Sequence, residues 1–456
     1  MGEFRIRRGR DLKIKGAATP EVVLASLPSQ VALKPSDFRG LKLRPLVKVD
    51  ELVKVGSPLF EDKFNPQIKI VSPVSGRVSA LVRGEKRALL QVIVETDGRQ
   101  EGLSFPRFTL DNLKRLSRQD VLNHLLTAGL WPFIRQRPFS KVANPRDTPK
   151  SIFIHAMSTE PLSLDVDLIL KDKHAEFQVG LEIIQHLTPG QVHLCFHKDA
   201  QSQALTEAKG VQIHKFEGPH PAGNVSTHIH YIDPIKKGDI IWYIEAQEVL
   251  RIALLFLNGV FAPDRYVAVT GEGAENRSYR KTVLGASLSS LLAPMGSGQG
   301  GYFKETMRYI SGSVLTGTDV GPAGFLSYYD TQITVIPEGG KRRLLGWLVP
   351  GLHRYSFSKT FPSSFLPEKE ASLDTDTHGS ERAIVLNHIY DAYVPLDILT
   401  FFLLRAVISG DIEEAERLGI LECDEEDFAL CSFACPSKTD VGGIIRQGLE
   451  TIEREG

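Results

Sequence analysis

The sequence has little of what marks several specialised classes of protein. Its four cysteines (Cys195, Cys423, Cys431 and Cys435) are too few among 456 residues for a disulfide-stabilised scaffold, and they favour a reducing compartment. The formal net charge is −1, from 54 Lys and Arg against 55 Asp and Glu, which argues against a broad basic face that binds nucleic acid. No apolar run reaches the ~18–20 residues of a membrane span, so any membrane association is expected to be peripheral.

Common catalytic and phosphate-binding motifs are also missing from the sequence. There is no G-x-x-x-x-G-K-[ST], no H-E-x-x-H and no G-x-S-x-G, so nothing supports a phosphate loop, a zincin or a hydrolase. The letters of G-x-G-x-x-G occur at 296–301. They follow a helix-like segment rather than a strand, which favours a flexible turn over a dinucleotide site.

The order of secondary-structure signals predicts a multidomain α/β plus β protein of ordinary globular composition. Short strands come first, strand–helix alternation then predicts a mainly parallel, doubly wound sheet, and glycine-rich strands follow as a small β-grasp or β-sandwich insert. Ser117 with Asp120 resembles the capping box of a helix between the first two parts. The expected units are a β-rich N-terminal domain (1–105), a Rossmann-like parallel α/β domain (106–263), a β-grasp-like (SLBB-like) domain with a β insert (264–355), a linker (356–380) and a helical domain (381–456).

Two segments near the N-terminus resemble the barrel-sandwich fold of biotinyl and lipoyl carrier domains. They are 53–60 (VKVGSPLF) and 72–78 (SPVSGRV). A carrier needs a modifiable lysine at the tip of the hairpin between these halves, but the tip falls near Asn65 and Pro66, and Lys63 lies before it. We therefore expect a barrel-sandwich-hybrid scaffold without carrier function.

The C-terminal cysteines resemble the end of a ferredoxin-type iron–sulfur motif. That motif is C-x2-C-x2-C-x3-C-P, and Cys431 and Cys435, with a proline after them, match its last part. Glu425 and Phe428 stand where the other two thiolates belong, and Cys423 is out of register by two. We therefore expect a degenerate remnant with buried free thiols and no metal site.

The segment 128–138 (AGLWPFIRQRP) leads to a predicted strand at 152–156. This arrangement resembles the C subunit of the Rnf electron-transport complex and the NADH-binding flavoprotein subunit of respiratory complex I. In those proteins a glycine-rich loop at this point lets flavin and nucleotide phosphates approach the backbone. Bulky and cationic side chains fill the loop in this sequence, which argues against flavin and NADH binding here.

A set of short segments, in order along the chain, resembles the NqrA family, the A subunits of the sodium-translocating NADH:quinone oxidoreductase. The segments are 9–16 (GRDLKIKG), 219–224 (PHPAGN), 228–234 (HIHYIDP), 269–273 (VTGEG), 311–317 (SGSVLTG) and 429–436 (ALCSFACP). Each alone is weak, but their order is specific, and the resemblance spans essentially the whole chain.

The resemblance implies a cofactor-poor subunit of a complex that moves electrons from NADH to ubiquinone and pumps sodium ions. It implies a peripheral position on the cytoplasmic face of the bacterial inner membrane, with the membrane subunits as the main partners. NADH, flavins and iron–sulfur centres are then expected on other subunits, with ubiquinone as substrate. The isolated chain is expected to be inactive.

The aromatic and cationic run after Gly129 is the candidate quinone site. Trp131 and Phe133 can sandwich a benzoquinone ring, while donors on the following residues can hydrogen-bond its carbonyl oxygens. Those donors are Arg135, Gln136 and Arg137. A core plug is the alternative, so two functions stay open: part of a quinone-reducing site, or a catalytically inert docking module that caps the membrane subunits.

Three histidines form a second, weaker candidate. His228 and His230 are two residues apart in a predicted strand, which places them on the same face of it. Together with His220 they can be metal ligands. Asp233 is the one acidic residue near them, and satisfied surface or interface histidines are the preferred interpretation.

Overall fold

The computed structural model describes residues 2–293, 304, 306–340, 350–352, 354–366, 370–385 and 388–455. The glycine-rich turn predicted at 296–301 lies outside these residues. Within them the strands are β1 (Gly2–Arg5), β2 (Thr19–Leu24), β3 (Gln30–Leu33), β4 (Leu43–Pro45), β5 (Leu52–Val53), β6 (Pro58–Asp62), β7 (Lys69–Val71), β8 (Gly76–Arg83), β9 (Leu89–Thr96), β10 (Arg135–Arg137), β11 (Lys141–Val142), β12 (Ser151–Ala156), β13 (Gln191–His197), β14 (Gln212–Glu217), β15 (Ile241–Glu245), β16 (Asp264–Thr270), β17 (Ser278–Val283), β18 (Met307–Ser311), β19 (Thr318–Asp319) and β20 (Gln332–Pro337).

The α-helices of the described residues alternate with strands in the middle of the chain and stand together at its end. They are α1 (Leu110–Leu113), α2 (Arg118–Thr127), α3 (Val166–Leu170), α4 (His174–Gln185), α5 (Gln203–Thr206), α6 (Val225–Ile232), α7 (Ala246–Asn258), α8 (Leu288–Leu292), α9 (Thr400–Ser409), α10 (Ile412–Arg417), α11 (Ala429–Ala434) and α12 (Val441–Glu455). The capping box predicted at Ser117 and Asp120 is confirmed at the start of α2.

A seven-stranded sheet carries the middle of the chain, in the order β1-β14-β13-β12-β15-β10-β11. The strands β14, β13, β12 and β15 run parallel, whereas β10 pairs antiparallel with β15. Alternate residues of β12 face opposite sides, so Ile152 and Ile154 join the core against α4 and α7, while Phe153 packs with Ile229 of α6. The sheet is therefore covered on both faces, which is why β12 is apolar almost throughout.

The barrel-sandwich hybrid expected at the N-terminus consists of two small antiparallel sheets. The first has the order β3-β9-β8-β5 and the second β4-β6-β7. Val31, Phe60 and Val94 lie in its buried core. The turn between β6 and β7 contains Lys63 and the largely exposed Phe64.

The first 24 residues do not stay within that domain. The strand β1 pairs in parallel with β14, where the rings of Phe4 and Phe216 stack with centroids 4.8 Å apart. The strand β2 pairs with β17 in a third sheet. The unit expected at 1–105 thus supplies strands to three sheet regions. Edge strands of distant sheets have unpaired backbone groups with which these strands can pair, and the local sequence does not predict such pairing.

The segment expected as a β-grasp-like domain forms a six-stranded mixed sheet with the order β19-β18-β20-β16-β17-β2. The β-grasp assignment and the predicted domain boundaries stay predictions.

The C-terminal helices enclose a core of their own. Val441, Ile445, Leu449 and Ile452 recur at helical spacing along α12 and are buried against α9 and α11. Across the described residues, no helix combines the length and the apolar character needed to cross a membrane.

Candidate functional site

A cleft of about 210 Å³ opens at the carboxyl ends of β12 and β15. The chain builds outward from β12 to β13 and β14 and then returns to the other side with β15, so the strand order reverses at this point. Ligands of open α/β sheets bind at such reversals. The walls include His155, Ser158, Tyr243 and Glu245 from the seven-stranded sheet, Arg265, Gly312, Ser313, Tyr329 and Gln332 from the six-stranded sheet region, and Glu426 from the C-terminal region.

His155 is the last side chain but one of β12 and points into the cleft. Its Nδ1 lies 2.9 Å from the carboxylate of Glu245, and its Nε2 lies 2.5 Å from the backbone oxygen of Gly223. Both partners only accept hydrogen bonds here, so both ring nitrogens carry a proton and the ring is an imidazolium. Burial lowers the pKa of His155, but the charge and hydrogen bond of Glu245 outweigh burial and raise that pKa to about 9.

Arg135 of β10 lies between two tyrosine rings at the cleft wall. Its guanidinium carbon is 5.3 Å from the ring centre of Tyr243 and 5.0 Å from that of Tyr329. Within the described residues its one side-chain hydrogen bond goes from Nη2 to the oxygen of Ser140, at 3.0 Å. Since a guanidinium has five N–H donors, most of them stay available to a ligand.

Phe133 borders the cleft, but it is only 3% exposed and its side chain already packs against two others. The ring of Tyr328 stacks at 4.9 Å with planes 18° apart, and the guanidinium of Arg251 lies 4.8 Å from the ring centre. Phe133 therefore supports the cleft from behind.

Trp131 and Gln136 do not border the cleft. Trp131 is fully buried, donates from Nε1 to the oxygen of Ala143 at 2.7 Å and meets Trp242 edge-on at 5.3 Å. Gln136 is buried and accepts a hydrogen bond from the backbone of Asn144. The structure therefore does not bring Trp131 and Phe133 together as two walls of the cleft, because Trp131 points into the core.

The local backbone explains this placement. The helix α2 ends at Thr127, and Gly129, two residues later, has a φ of 72° in the left-handed region. The N–H of Leu130 donates to the oxygen of Leu125 at 2.9 Å. A side chain at Gly129 would meet Val71 of the barrel-sandwich domain. The turn thus directs Trp131 inward between two domains before β10 brings Arg135 to the cleft.

Arg137 is 1% exposed and binds the C-terminal region rather than the cleft. Its guanidinium lies 3.2 Å from a carboxylate oxygen of Asp424 and 2.9 Å from one of Glu426, and 5.4 Å from the ring centre of Tyr243. Ser140 also donates to Asp424, at 2.5 Å. Arg137 is therefore the interdomain partner of two carboxylates.

Glu160 adds a partly buried acid to the lining of the cleft. One of its carboxylate oxygens accepts hydrogen bonds from Ser313 at 2.9 Å and from Thr316 at 2.5 Å. Burial raises the pKa of Glu160. The segment 311–317 noted in the sequence thus meets the α/β domain at this acid.

The three histidines lie on and before a helix, so the strand expected at 228–230 is wrong. Both His228 and His230 belong to α6, where residues two apart point in different directions. His228 and His220 are buried, and His230 binds Glu422 at 2.5 Å. Throughout the described ranges, no group of three or more His, Cys, Asp or Glu side chains is placed to hold a metal ion.

The four positions that correspond to the ferredoxin-type motif make contacts within the protein. Glu425 forms an ion pair with Arg39 of the barrel-sandwich domain, and Phe428 is fully buried in the C-terminal core. Cys431 and Cys435 are buried free thiols beside Tyr390.

Sequence reasoning missed His155, Tyr243 and Tyr329. One signal was available, because His155 is a polar residue at the carboxyl end of a predicted parallel strand, where ligand sites form. No local signal marked Tyr329, which reaches the cleft from the turn before β20.

Similarity to known proteins covers the whole chain. Family models match residues 4–97 (NqrA N-terminal barrel-sandwich hybrid domain), 116–261 (NqrA second alpha/beta domain) and 266–321 (NQRA C-terminal domain). The chain is 41% identical over 457 residues to the A subunit of the Na(+)-translocating NADH-quinone reductase of Yersinia pseudotuberculosis serotype O:1b (strain IP 31758), covering 99% of this chain and 100% of the relative. The chain belongs to this family.

Other members agree. The corresponding A subunit of Klebsiella pneumoniae (strain 342) is 39% identical over 454 residues, with 99% and 100% of the two chains covered. That of Histophilus somni (strain 2336) is 38% identical over 453 residues, with 99% of each chain covered. The resemblance found in the sequence is confirmed: the NqrA family supplies one subunit of an oxidoreductase complex that reduces quinone with NADH and translocates sodium, so other subunits are implied. A solved NAD+-reducing [NiFe]-hydrogenase matches half of this chain and 49% of its own, at a TM-score of 0.33 and 11% identity, which is too little to compare folds.

Proposed function

We propose that this chain binds the headgroup of ubiquinone in the cleft at the carboxyl ends of β12 and β15 and contributes to its reduction. The observation that carries the proposal is the guanidinium of Arg135, held between Tyr243 and Tyr329 with most of its donors unused within the described residues. Aromatic walls suit a planar ring, and unused N–H donors suit its carbonyl oxygens.

The charges at the cleft also suit a quinone that becomes negative as it takes up electrons. Arg135 and the imidazolium of His155 are cationic, and α6 and α7 begin beside the cleft with the positive ends of their dipoles. Fixed positive groups stabilise developing negative charge on an oxygen.

In this proposal the chain is a peripheral subunit on the cytoplasmic face of the inner membrane, and the membrane subunits are its partners. NADH, flavins and iron–sulfur centres belong to other subunits. In support, Phe428 and the ion pair of Glu425 with Arg39 take up two positions of the ferredoxin-type motif.

A docking module without its own quinone site is the second candidate. It is supported by the apolar side chains that α9 turns to solvent, since Phe402 is 51% exposed and Ile408 57% exposed. Such exposed apolar residues are common where a partner binds.

Titration of the purified chain with a short-chain ubiquinone distinguishes the quinone-binding function from the docking module. Saturable binding is expected, and Arg135→Ala is expected to weaken it at least tenfold, because a charge-assisted hydrogen bond contributes ~1.5–3 kcal/mol. Arg44→Ala is the matched control, since Arg44 pairs with Glu61 far from the cleft wall. If wild type fails to bind, or if both folded variants bind as wild type does, the docking module is the better function.

A further inference from the structure

An acidic turn of the C-terminal region, residues 424–427, abuts the cleft. Its four carboxylates have different partners: Asp424 binds Arg137, Glu425 binds Arg39, Glu426 binds Arg137, and Asp427 accepts from the amide of Asn224 at 2.9 Å. Asp424 and Glu425 are therefore committed to interdomain ion pairs, and Asp427 is held by Asn224. Glu426 is the member that lines the cleft wall.

Glu426 combines a fixed position with an open side. One carboxylate oxygen accepts a hydrogen bond from Nη2 of Arg137 at 2.9 Å, and Arg137 is itself buried and held by Asp424. The side chain of Glu426 is nevertheless 37% exposed, whereas that of Asp424 is 5% exposed. Arg137 thus orients a carboxyl group that lines the cleft and is partly exposed.

The groups that face Glu426 come from four elements. Arg135 and Arg137 lie on β10, His155 on β12 and Tyr243 on β15, while Asp424 and Asp427 belong to its own turn. Partial removal of Glu426 from water raises its pKa to about 8, and the charges of Asp424 and Asp427 add to this effect against the opposing charge of Arg137. This shift favours the protonated form of Glu426 near neutral pH at the wall of the cleft.

We propose that Glu426 is the acid that gives a proton to a carbonyl oxygen of the quinone during its reduction in this cleft, which rests on the proposed function. The quinone takes two electrons, supplied from NADH through the complex, and two protons, and becomes the quinol. One O–H bond of the quinol forms as the O–H bond of Glu426 breaks, and the resulting carboxylate stays paired with Arg137. Solvent reached through the cleft supplies the second proton and reprotonates Glu426.

Two neighbouring variants test the assignment in the assembled complex. Glu426→Gln keeps an acceptor for Arg137 but has no acidic proton, and Glu425→Gln is the matched control because that side chain faces Arg39. For Glu426→Gln, we expect kcat for quinone reduction to fall at least tenfold with KM within twofold of wild type, since a positioned acid contributes about 10²–10⁴-fold. Glu426→Asp should recover part of the rate, and Glu425→Gln should match wild type.

The pH dependence of the rate distinguishes a proton donor from a residue that only supports the structure. The wild-type rate should fall as pH rises through about 8, where Glu426 loses its proton, and this limb should be absent from Glu426→Gln. Binding of a short-chain ubiquinone to the purified chain separates this inference from the proposed function. If wild type and Glu426→Gln both bind the quinone but share one kcat and one pH profile, the assignment of Glu426 is overturned; if neither binds it, the cleft itself is not the quinone site.

Discussion

The imidazole of His155 and the carboxylate of Glu245 lie 2.9 Å apart as direct partners in the register of two parallel strands. Both residues lie at the point where the strand order of the seven-stranded sheet reverses, so their ion pair lines the cleft. The second ring nitrogen reaches the oxygen of Gly223, which fixes the ring in place. Folding therefore stabilises a proton on His155.

That proton makes stability depend on pH. The pKa of His155 is ~6.5 in an unfolded chain and about 9 in the folded one, so the contribution is fully present below the first value and is lost as pH rises through the second. The free energy of unfolding should fall by on the order of 3 kcal/mol from this source between pH 6 and 10. Urea denaturation of wild type and Glu245→Gln checks this, since the variant should lose most of the difference. An NMR titration that puts His155 near its ordinary pKa would contradict it.

Replacing Arg137 should lower the free energy of unfolding more than replacing an exposed arginine does. Removing its guanidinium leaves Asp424 buried beside Ser140 with its main charge partner gone, and breaking a buried pair typically costs ~3–5 kcal/mol. Arg137→Ala should lower the free energy of unfolding by about that amount, whereas Arg44→Ala should cost less than ~1 kcal/mol. Chemical denaturation of both variants measures the difference, and equal losses would show that the contact between the α/β domain and the C-terminal region is weak.

Phe133 is expected to stabilise the fold rather than stack on a quinone. Its ring is buried and contacts Tyr328 and Arg251, so Phe133→Ala should cost ~3–5 kcal/mol of stability as a core truncation does. The exposed Phe64 is the control, and Phe64→Ala should stay within ~0.5 kcal/mol of wild type. A Phe133→Ala chain that melts like wild type would show that the ring is not a structural support.

Local signals in the sequence predicted the elements that local physics decides. The capping box of Ser117 and Asp120 marks the start of α2, and the apolar run at 152–156 marks a buried strand. The strand predicted at 228–230 is wrong, because the alternation there covers only three residues. Over the whole segment, Val225, Ile229 and Ile232 recur at the i, i+4, i+7 spacing of a helix.

The composition of the cleft could not be predicted in the same way. The sequence marks Arg135 as a donor, but its neighbours Tyr243 of β15 and Tyr329 of the turn before β20 lie far from it along the chain. Trp131 was placed in the site because its chemistry fits a ring, yet the turn at Gly129 directs it into the core. Tertiary pairing of distant segments decided each of these positions.

Amide hydrogen exchange of the purified chain, with and without a saturating short-chain ubiquinone, tests quinone binding in the cleft most directly. Exchange should slow in 155–160, 223–226, 243–248 and 329–332, which line the cleft, and stay unchanged in 24–28 and 401–409, which lie elsewhere. Slower exchange confined to segments outside the cleft, or no change under conditions where the quinone is bound, would contradict it.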